Sequence, residues 1–237
     1  MNVLQPGLRY YVDKIVKGEP FSWVRYGDGE WSSIFRDRAR TGSGSQSLMD
    51  LGLSRAMRKS IVKSWKADNY FPALRASSLN PRAKRWLLNN QPAHIWWHDC
   101  TIFYKSSRKG QLYPFIKALR ETDYPIVLVG PPRLQKLNIF PIAQFITIPG
   151  RDAWRDHPHI LRKCKNVKGK ALFLITAGPT AKPLVWELYP HCGKKSFIMD
   201  MGSLWDVYVG KASRRYMRGM LRRGTEIQRN LHGTGAS

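Results

Sequence analysis

The chain of 237 residues is strongly basic, because 40 Lys and Arg residues stand against 16 Asp and Glu and give a formal net charge of +24. A hydrophobic fraction of 43% argues against a disordered chain, and no apolar run approaches the ~20 residues of a membrane-spanning helix. The charge favours polyanionic partners, which are nucleic acid, an anionic membrane surface or phosphorylated ligands, over a neutral small molecule alone.

The location expected from the sequence is the cytoplasm. The first residues lack the basic start, apolar middle and cleavage site of a secretory signal. The three cysteines, Cys100, Cys164 and Cys192, are too widely spaced for a zinc motif and odd in number. A reducing compartment is therefore expected.

Short apolar runs and longer periodic segments alternate along the chain. The runs predict strands at FSWVRYG, YPIVLVGP, FITIP, ALFLITAGP and SFIMDMG. The segments between them predict helices at SLMDLGLSRAMRKSIVKSW, SSRKGQLYPFIKALRE, DAWRDHPHILRKCKN and TAKPLVWELYPHC. Apolar strands separated by helices predict one α/β domain, with a mostly parallel sheet and helices on both faces.

The last residues differ in composition from the rest. Residues 211–237 contain seven Lys or Arg and one acid, and they end in Gly, Ser and Thr. We therefore divide the chain into a domain over 1–210 and a basic C-terminal helix or tail over 211–237. A solvated helix with a frayed end and an arm that binds polyanions are both consistent with this composition.

An acidic motif follows the first predicted strand, within WVRYGDGEW. Gly27 and Gly29 bracket Asp28 and allow a tight turn, and Asp28 and Glu30 together offer two hard oxygen ligands to Mg²⁺ or Mn²⁺. The alternative is an ordinary Gly-Asp-Gly turn in which Glu30 caps the next helix. From the spacing alone the alternative is favoured, because short acidic motifs arise often by chance.

Other candidate residues follow later strands. Gly178, Thr180 and Lys182 stand where a strand passes into a helix, a natural phosphate cradle, although a plain turn explains them equally well. Arg133 could contact a diphosphate with two nitrogens or be one more surface arginine. Asp206 could act as a catalytic base, although helix capping is the commoner role for such a residue.

Taken together, the motifs resemble the GT-D type glycosyltransferases of bacteria and phages. VRYGDGEW, IVLVGPPRL, ITIPGRDAW, LFLITAGPTAKPLVWEL and IMDMGSLWD appear in the family's order over roughly residues 20–210. The Arg-Tyr-Gly-Asp-Gly-Glu block is the most specific member of this set. The ordered combination reverses the preference for a simple turn.

The resemblance implies a Rossmann-like nucleotide-sugar transferase that uses a divalent metal, Mn²⁺ or Mg²⁺, and a UDP-sugar as the family's usual donor. Asp28 and Glu30 become the metal-binding pair. The residues implied at the donor site are Arg25, Gly27, Gly29, Arg133, Gly178, Thr180 and Lys182. Family members tend to carry a histidine where this chain has Ser203, which leaves the catalytic base open, and Asp206 is our choice for it.

The acceptor has to be inferred from the charge. Basic residues cluster at Arg36, Arg38 and Arg40, at Arg55, Arg58, Lys59, Lys63 and Lys66, and from Lys211 onward. A duplex binds such a surface strongly because its phosphates release counterions. We expect transfer to a hydroxymethylated pyrimidine base in DNA, such as 5-hydroxymethylcytosine. The alternatives are a cell-envelope glycan or glycoprotein as acceptor, and a non-catalytic α/β module that only binds nucleic acid.

Overall fold

The computed structural model of the protein describes residues 3–36 and 50–233. Eight strands of this part form one sheet in which every neighbouring pair is parallel, in the order β1-β4-β3-β2-β8-β7-β5-β6. The strands are β1 (Val3–Leu4), β2 (Ser22–Tyr26), β3 (Tyr70–Leu74), β4 (Trp97–Asp99), β5 (Ile126–Gly130), β6 (Gln144–Thr147), β7 (Leu172–Ile175) and β8 (Phe197–Asp200). The predicted α/β class with a parallel sheet is confirmed.

Ten α-helices in the described ranges connect the strands or follow the last one. They are α1 (Leu8–Val16), α2 (Asp28–Phe35), α3 (Leu51–Val62), α4 (Pro81–Asn90), α5 (Ile102–Arg108), α6 (Tyr113–Glu121), α7 (His157–Lys165), α8 (Ala181–Cys192), α9 (Arg215–Arg223) and α10 (Thr225–His232). No helix in this part of the chain is both long and apolar enough to cross a bilayer.

One predicted helix is wrong in its extent. The segment SSRKGQLYPFIKALRE was expected to be one helix, but α5 ends at Arg108 and α6 begins at Tyr113. Gly110 between them has a φ of +71°, a left-handed conformation that ends a helix and that glycine adopts without a steric penalty. The periodic pattern therefore belongs to α6 alone.

Helices cover both faces of the sheet, and β2 shows how one strand serves both. Trp23 packs into the cluster built with α1, α5 and α6, whereas its neighbour Val24 packs into the cluster built with α2, α3 and α8. Successive side chains of a strand point to opposite faces, so both are fully buried. Burial on both faces explains why the strands read as continuous apolar runs.

The sheet has a seam at its centre, between β2 and β8. Strands from the first hundred residues lie on one side and strands from residues 126–200 on the other. Only two residue pairs join β2 to β8, Ser22 with Ile198 and Trp23 with Met199. Beyond them the Arg25 amide donates to the Asp200 carboxylate at 3.3 Å. The strands thus part at their carboxyl ends, where the strand order reverses and α/β proteins commonly bind ligands.

The helices of the basic C-terminal segment pack against the rest of the protein. Met217 and Met220 of α9 are fully buried. Asn230 of α10, also fully buried, accepts a hydrogen bond from the Leu112 amide at 2.8 Å and donates one to the Ser107 carbonyl at 2.7 Å. Residues 211–233 are therefore held in place beside α5 and α6. The division of the chain at residue 210 stays a prediction.

Candidate functional site

A large cleft opens at the carboxyl ends of the strands, over the seam. Its volume is about 1500 Å³, and its walls come from the segments that follow strands β2 to β8 and from α9. Nine of the residues singled out from the sequence line it: Arg25, Gly27, Asp28, Gly29, Glu30, Arg133, Gly178, Thr180 and Asp206. The tenth, Lys182, lies buried and bonds to Glu30. Motifs far apart in the chain thus meet in one place.

The two carboxylates of the acidic motif have different surroundings. Both belong to the first turn of α2, where the positive end of the helix dipole stabilises acidic side chains. Asp28 is exposed to the cleft, and its carboxylate has no partner among the described residues. Glu30 is buried and accepts a hydrogen bond from the Gly27 amide at 2.8 Å, which closes a capping box. The capping alternative weighed from the sequence is therefore present for Glu30.

Glu30 belongs to a buried charge cluster, formed by Arg25, Glu30, Lys182 and Asp200. The Lys182 ammonium lies 2.7 Å from Glu30 Oε1 and 3.0 Å from Asp200 Oδ2. The side chains of Lys182 and Asp200 are fully buried. Lys182 is on α8, Asp200 ends β8 and Glu30 is on α2, so the cluster ties both sides of the seam together.

The cluster keeps Glu30 ionised. Burial by itself raises the pKa of this carboxyl, but the charges of Lys182 and Arg25 and the hydrogen bonds from Lys182 and Gly27 outweigh burial and lower the pKa to about 2. Glu30 is therefore a carboxylate throughout the physiological range.

Arg25 has a guanidinium whose hydrogen bonding is incomplete. Burial by itself lowers its pKa, but the nearby Asp200 and Glu30 carboxylates raise the pKa above the usual value, so the group stays charged. Its Nε is buried without a hydrogen-bond partner among the described residues. A buried, unpaired donor of this kind is costly, and an anion in the cleft would satisfy it.

Gly202 leaves the space that Arg25 occupies. Gly202 has a φ of +55°, and a Cβ on it would lie 2.1 Å from Nη2 of Arg25. We expect Gly202→Ala to lower the free energy of unfolding by about 3 kcal/mol, because backbone strain adds to displacement of a buried charge. Gly169→Ala is the matched control, since Gly169 has a φ of +74° and nothing within 4 Å of its added Cβ. It should lose only ~1 kcal/mol in urea unfolding. Equal losses would show that Arg25 moves aside freely.

Arg133 and Asp206, assigned separate roles from the sequence, form one ion pair. Arg133 Nε and Nη2 donate to the two carboxylate oxygens at 2.9 and 3.2 Å. Asp206 is buried, whereas Arg133 remains partly exposed to the cleft. This two-point contact fixes the guanidinium plane, so Asp206 positions Arg133. The role of Asp206 as a base stays a prediction.

Another wall of the cleft is a row of arginines that belongs to the basic cluster after Lys211, although none of these arginines was assigned to the site from the sequence. Arg215, Arg218 and Arg222 recur at helical spacing on one exposed face of α9, opposite the buried Met217 and Met220. All three line the cleft, and none has an ion-pair or hydrogen-bond partner in the part of the chain that the structure describes. We call them the α9 arginine row. They make the cleft attractive to anions.

The donor atoms fit a divalent cation that shares its coordination with a ligand. Within residues 3–36 and 50–233, no cluster of three or more His, Cys, Asp or Glu side chains could enclose a metal ion. Mg²⁺, however, commonly takes one or two carboxylates and leaves its other positions to water and phosphate oxygens. The free Asp28 carboxylate suits that role best. Glu30 already accepts one hydrogen bond on each oxygen.

Two contributors to the site could have been recognised from sequence. Asp200 ends a predicted strand, and such positions gather at the ligand-binding edge of a parallel sheet. The α9 arginine row repeats at positions i, i+3 and i+7, although no pattern in the sequence places that helix over the cleft.

Comparison with known proteins identifies the fold. No protein-family model and no curated protein matches the chain. A solved structure described as "A New Glycosyltransferase (DUF1792) from Streptococcus sanguinis" is 19% identical, with a TM-score of 0.66 over 94% of this chain and 86% of that chain. Another, "The highly conserved domain of unknown function 1792 has a distinct glycosyltransferase fold", is 18% identical, with a TM-score of 0.62 over 87% and 80%. The chain therefore has the fold of these glycosyltransferases.

Proposed function

We propose that the protein is a metal-dependent glycosyltransferase that moves a sugar from a nucleotide donor, in the first instance a UDP-sugar, onto a hydroxymethylated pyrimidine base of DNA. The observation that carries the transferase assignment is the pairing of the free Asp28 carboxylate with the unsatisfied Arg25 Nε in one cleft. The fold shared with solved glycosyltransferases supports the same assignment.

The donor half of the reaction follows from the charges at the seam. Departure of a nucleoside diphosphate places negative charge on the leaving oxygen, and fixed cationic groups stabilise that charge. Asp200 and Glu30 of the buried charge cluster keep Arg25 charged at the seam, and Asp206 fixes the position of Arg133. Both guanidinium groups would stabilise the leaving oxygen. A divalent ion held by Asp28, with Glu30 beside it, would neutralise the diphosphate further.

The loop after β7 would complete the donor site. Residues Gly178–Thr180 form a short 3-10 turn that leads directly into α8, and Gly178 has a φ of +56°. The Gly178 carbonyl accepts a hydrogen bond from the Lys182 ammonium at 3.0 Å, so the turn is fastened to the buried charge cluster. Backbone amides at such a helix start point toward bound phosphate.

The acceptor half rests on the α9 arginine row. Its three guanidinium groups face the same cleft as Asp28 and carry no counter-charge from the described residues. A polyanion that supplies phosphates there would place a base or hydroxyl near the donor. DNA offers closely spaced phosphates, and enzymes that act on a base can turn that base out of the stack into a cleft.

Mass spectrometry of nucleosides tests the proposal. DNA that contains 5-hydroxymethylcytosine or 5-hydroxymethyluracil is incubated with the protein, Mn²⁺ and a panel of nucleotide sugars, then digested. We expect a hexose- or pentose-sized mass gain on the modified base. Unmodified DNA of the same sequence is the control and should gain nothing.

The remaining outcomes separate the alternatives. Metal-dependent hydrolysis of a nucleotide sugar with no gain on any base would keep the transferase and reject DNA as acceptor, in favour of a cell-envelope glycan or glycoprotein. Tight DNA binding with neither donor binding nor hydrolysis would reject the enzyme and leave a nucleic-acid-binding module.

A further inference from the structure

A second cationic recess lies outside the cleft, between α2, α3 and α4. Its volume is about 540 Å³, and its walls include Phe35, Arg58, Arg82, Arg85 and Trp86. We call these five residues the arginine–aromatic patch. None of them lines the cleft.

The patch brings like charges together without a counter-charge from residues 3–36 and 50–233. The guanidinium carbons of Arg58 and Arg82 lie 5.6 and 4.7 Å from the centre of the same Phe35 ring, and Arg58 lies 5.8 Å from the Trp86 ring. Partial burial and the charge of Arg82 lower the pKa of Arg58. No described carboxylate comes within 4.0 Å of Arg58, Arg82 or Arg85. The repulsion between Arg58 and Arg82 therefore costs electrostatic energy, and a bound anion would offset that cost.

Arg58 also has backbone hydrogen bonds, whereas Arg82 and Arg85 have no polar partner among the described residues. Arg58 donates to the Ile34 carbonyl from Nε at 3.1 Å and from Nη2 at 2.8 Å, and so caps the carboxyl end of α2. Arg82 and Arg85 are exposed, and neither forms a hydrogen bond with a described residue. Their guanidinium groups are free to bind a ligand.

Helix α2 connects the patch to the cleft. The helix begins at Asp28 in the cleft and ends at Phe35 in the patch. The seven helical steps from Asp28 to Phe35 rise roughly 10 Å, which equals about three base steps along one strand of a duplex. An extended polyanion could therefore contact both places at once.

We propose that the arginine–aromatic patch binds the sugar-phosphate backbone of a nucleic-acid strand whose target base lies in the cleft. This inference deepens the proposed function and rests on it for the position of the target base. Arg82 and Arg85 contact phosphates, and the faces of Phe35 and Trp86 offer stacking surfaces to an unpaired base.

The recess favours nucleic acid over an anionic membrane surface. A membrane presents a plane of headgroups, which suits an outward-facing row of basic residues. Here the cationic groups line a recess with aromatic walls and the amide side chains of Asn89 and Asn90. Stacking faces and hydrogen-bonding groups beside arginines are the means by which proteins bind nucleic-acid strands.

Charge reversal at neighbouring positions of α4 tests the proposal. Arg82→Glu and Lys84→Glu change the net charge equally on the same exposed helix, but only Arg82 lines the patch. Affinity for a fluorescent duplex of about 30 base pairs is measured by anisotropy over a range of salt concentrations. We expect Arg82→Glu to raise Kd about tenfold and to reduce the slope of log K against log salt by about 1. Lys84→Glu should change Kd less than about twofold.

Two further measurements keep the result interpretable. Both variants should melt at the wild-type temperature and bind the nucleotide donor as the wild type does, because Arg82 and Lys84 are exposed and lie outside the cleft. Equal DNA affinity in the two variants would overturn the patch, and so would selective loss of binding to anionic lipid vesicles by Arg82→Glu. Weaker DNA binding by Arg82→Glu without any sugar transfer to DNA would support nucleic-acid binding by the arginine–aromatic patch. It would reject DNA as the sugar acceptor instead.

Discussion

Replacing Lys182 by methionine is expected to lower the free energy of unfolding by about 3–5 kcal/mol, because it leaves Glu30 and Asp200 buried without the ammonium that lies between them. That loss is a large part of the ~5–15 kcal/mol that holds a typical domain folded. Urea unfolding measures it. Lys194→Met is the matched control, since Lys194 is exposed, and it should stay within about 0.5 kcal/mol of wild type.

The pH dependence of unfolding gives an independent test of the Lys182→Met prediction. In the wild type the pKa of Glu30 is lowered to about 2, so its contribution is present above the ordinary value of 4.5 and is lost as the pH falls toward 2. In Lys182→Met the charge and the hydrogen bond of Lys182 are lost, so burial weighs more against Arg25 and Gly27 and we expect the pKa of Glu30 to rise. Protonation of Glu30 as the pH falls then removes a buried charge and so reduces the loss of stability in the variant.

The difference in stability between wild type and Lys182→Met should therefore narrow between pH 7 and about pH 4. A difference that stays constant over this range would contradict a buried carboxylate as the cause. The double variant Lys182→Met with Glu30→Gln should recover part of the loss at pH 7, because it removes one of the two buried carboxylates that lose the Lys182 ammonium.

Replacing Asp28 by asparagine is expected to reduce sugar transfer at least about 100-fold while leaving stability within about 1 kcal/mol of wild type. The carboxylate is exposed and has no partner among the described residues, so the fold does not depend on it. The measurements are donor turnover with Mn²⁺, Mn²⁺ binding followed by electron paramagnetic resonance, and urea unfolding.

Asp123→Asn is the control for Asp28→Asn. Asp123 is exposed just before β5, at the edge of the sheet opposite the cleft, and its variant should keep full turnover. Glu30→Gln should differ from both, losing stability as well as turnover, because Glu30 holds Lys182 and caps α2. Full Mn²⁺-stimulated turnover by Asp28→Asn would reject Asp28 as a metal ligand.

The sequence predicted the strands that are apolar throughout and missed those that are short or interrupted. β2, β5, β6, β7 and β8 were all expected from their apolar runs. β3 carries Pro72 in its middle, a residue that ordinarily argues against an inner strand, and β4 has only three residues. Their pairing is decided by tertiary packing, which local patterns do not record.

The candidate site shows the same division. The positions of Asp28, Gly178 and Arg133 at strand ends could be predicted, because the carboxyl ends of parallel strands meet at one edge. The pairing of Lys182 with Glu30 could not, because 152 residues separate them. The difference between an exposed Asp28 and a buried Glu30 likewise depends on which side of α2 faces Lys182.

The seam makes the binding cleft and the join between the two half-sheets the same place. Two residue pairs and a charge cluster connect β2 to β8, whereas five residue pairs connect β2 to β3. Unfolding of the two half-sheets stays a single cooperative event only while that join holds. A change that weakens this join, such as Lys182→Met, is therefore expected to lower the cooperativity of unfolding, so cooperativity limits how far the buried charge cluster can diverge.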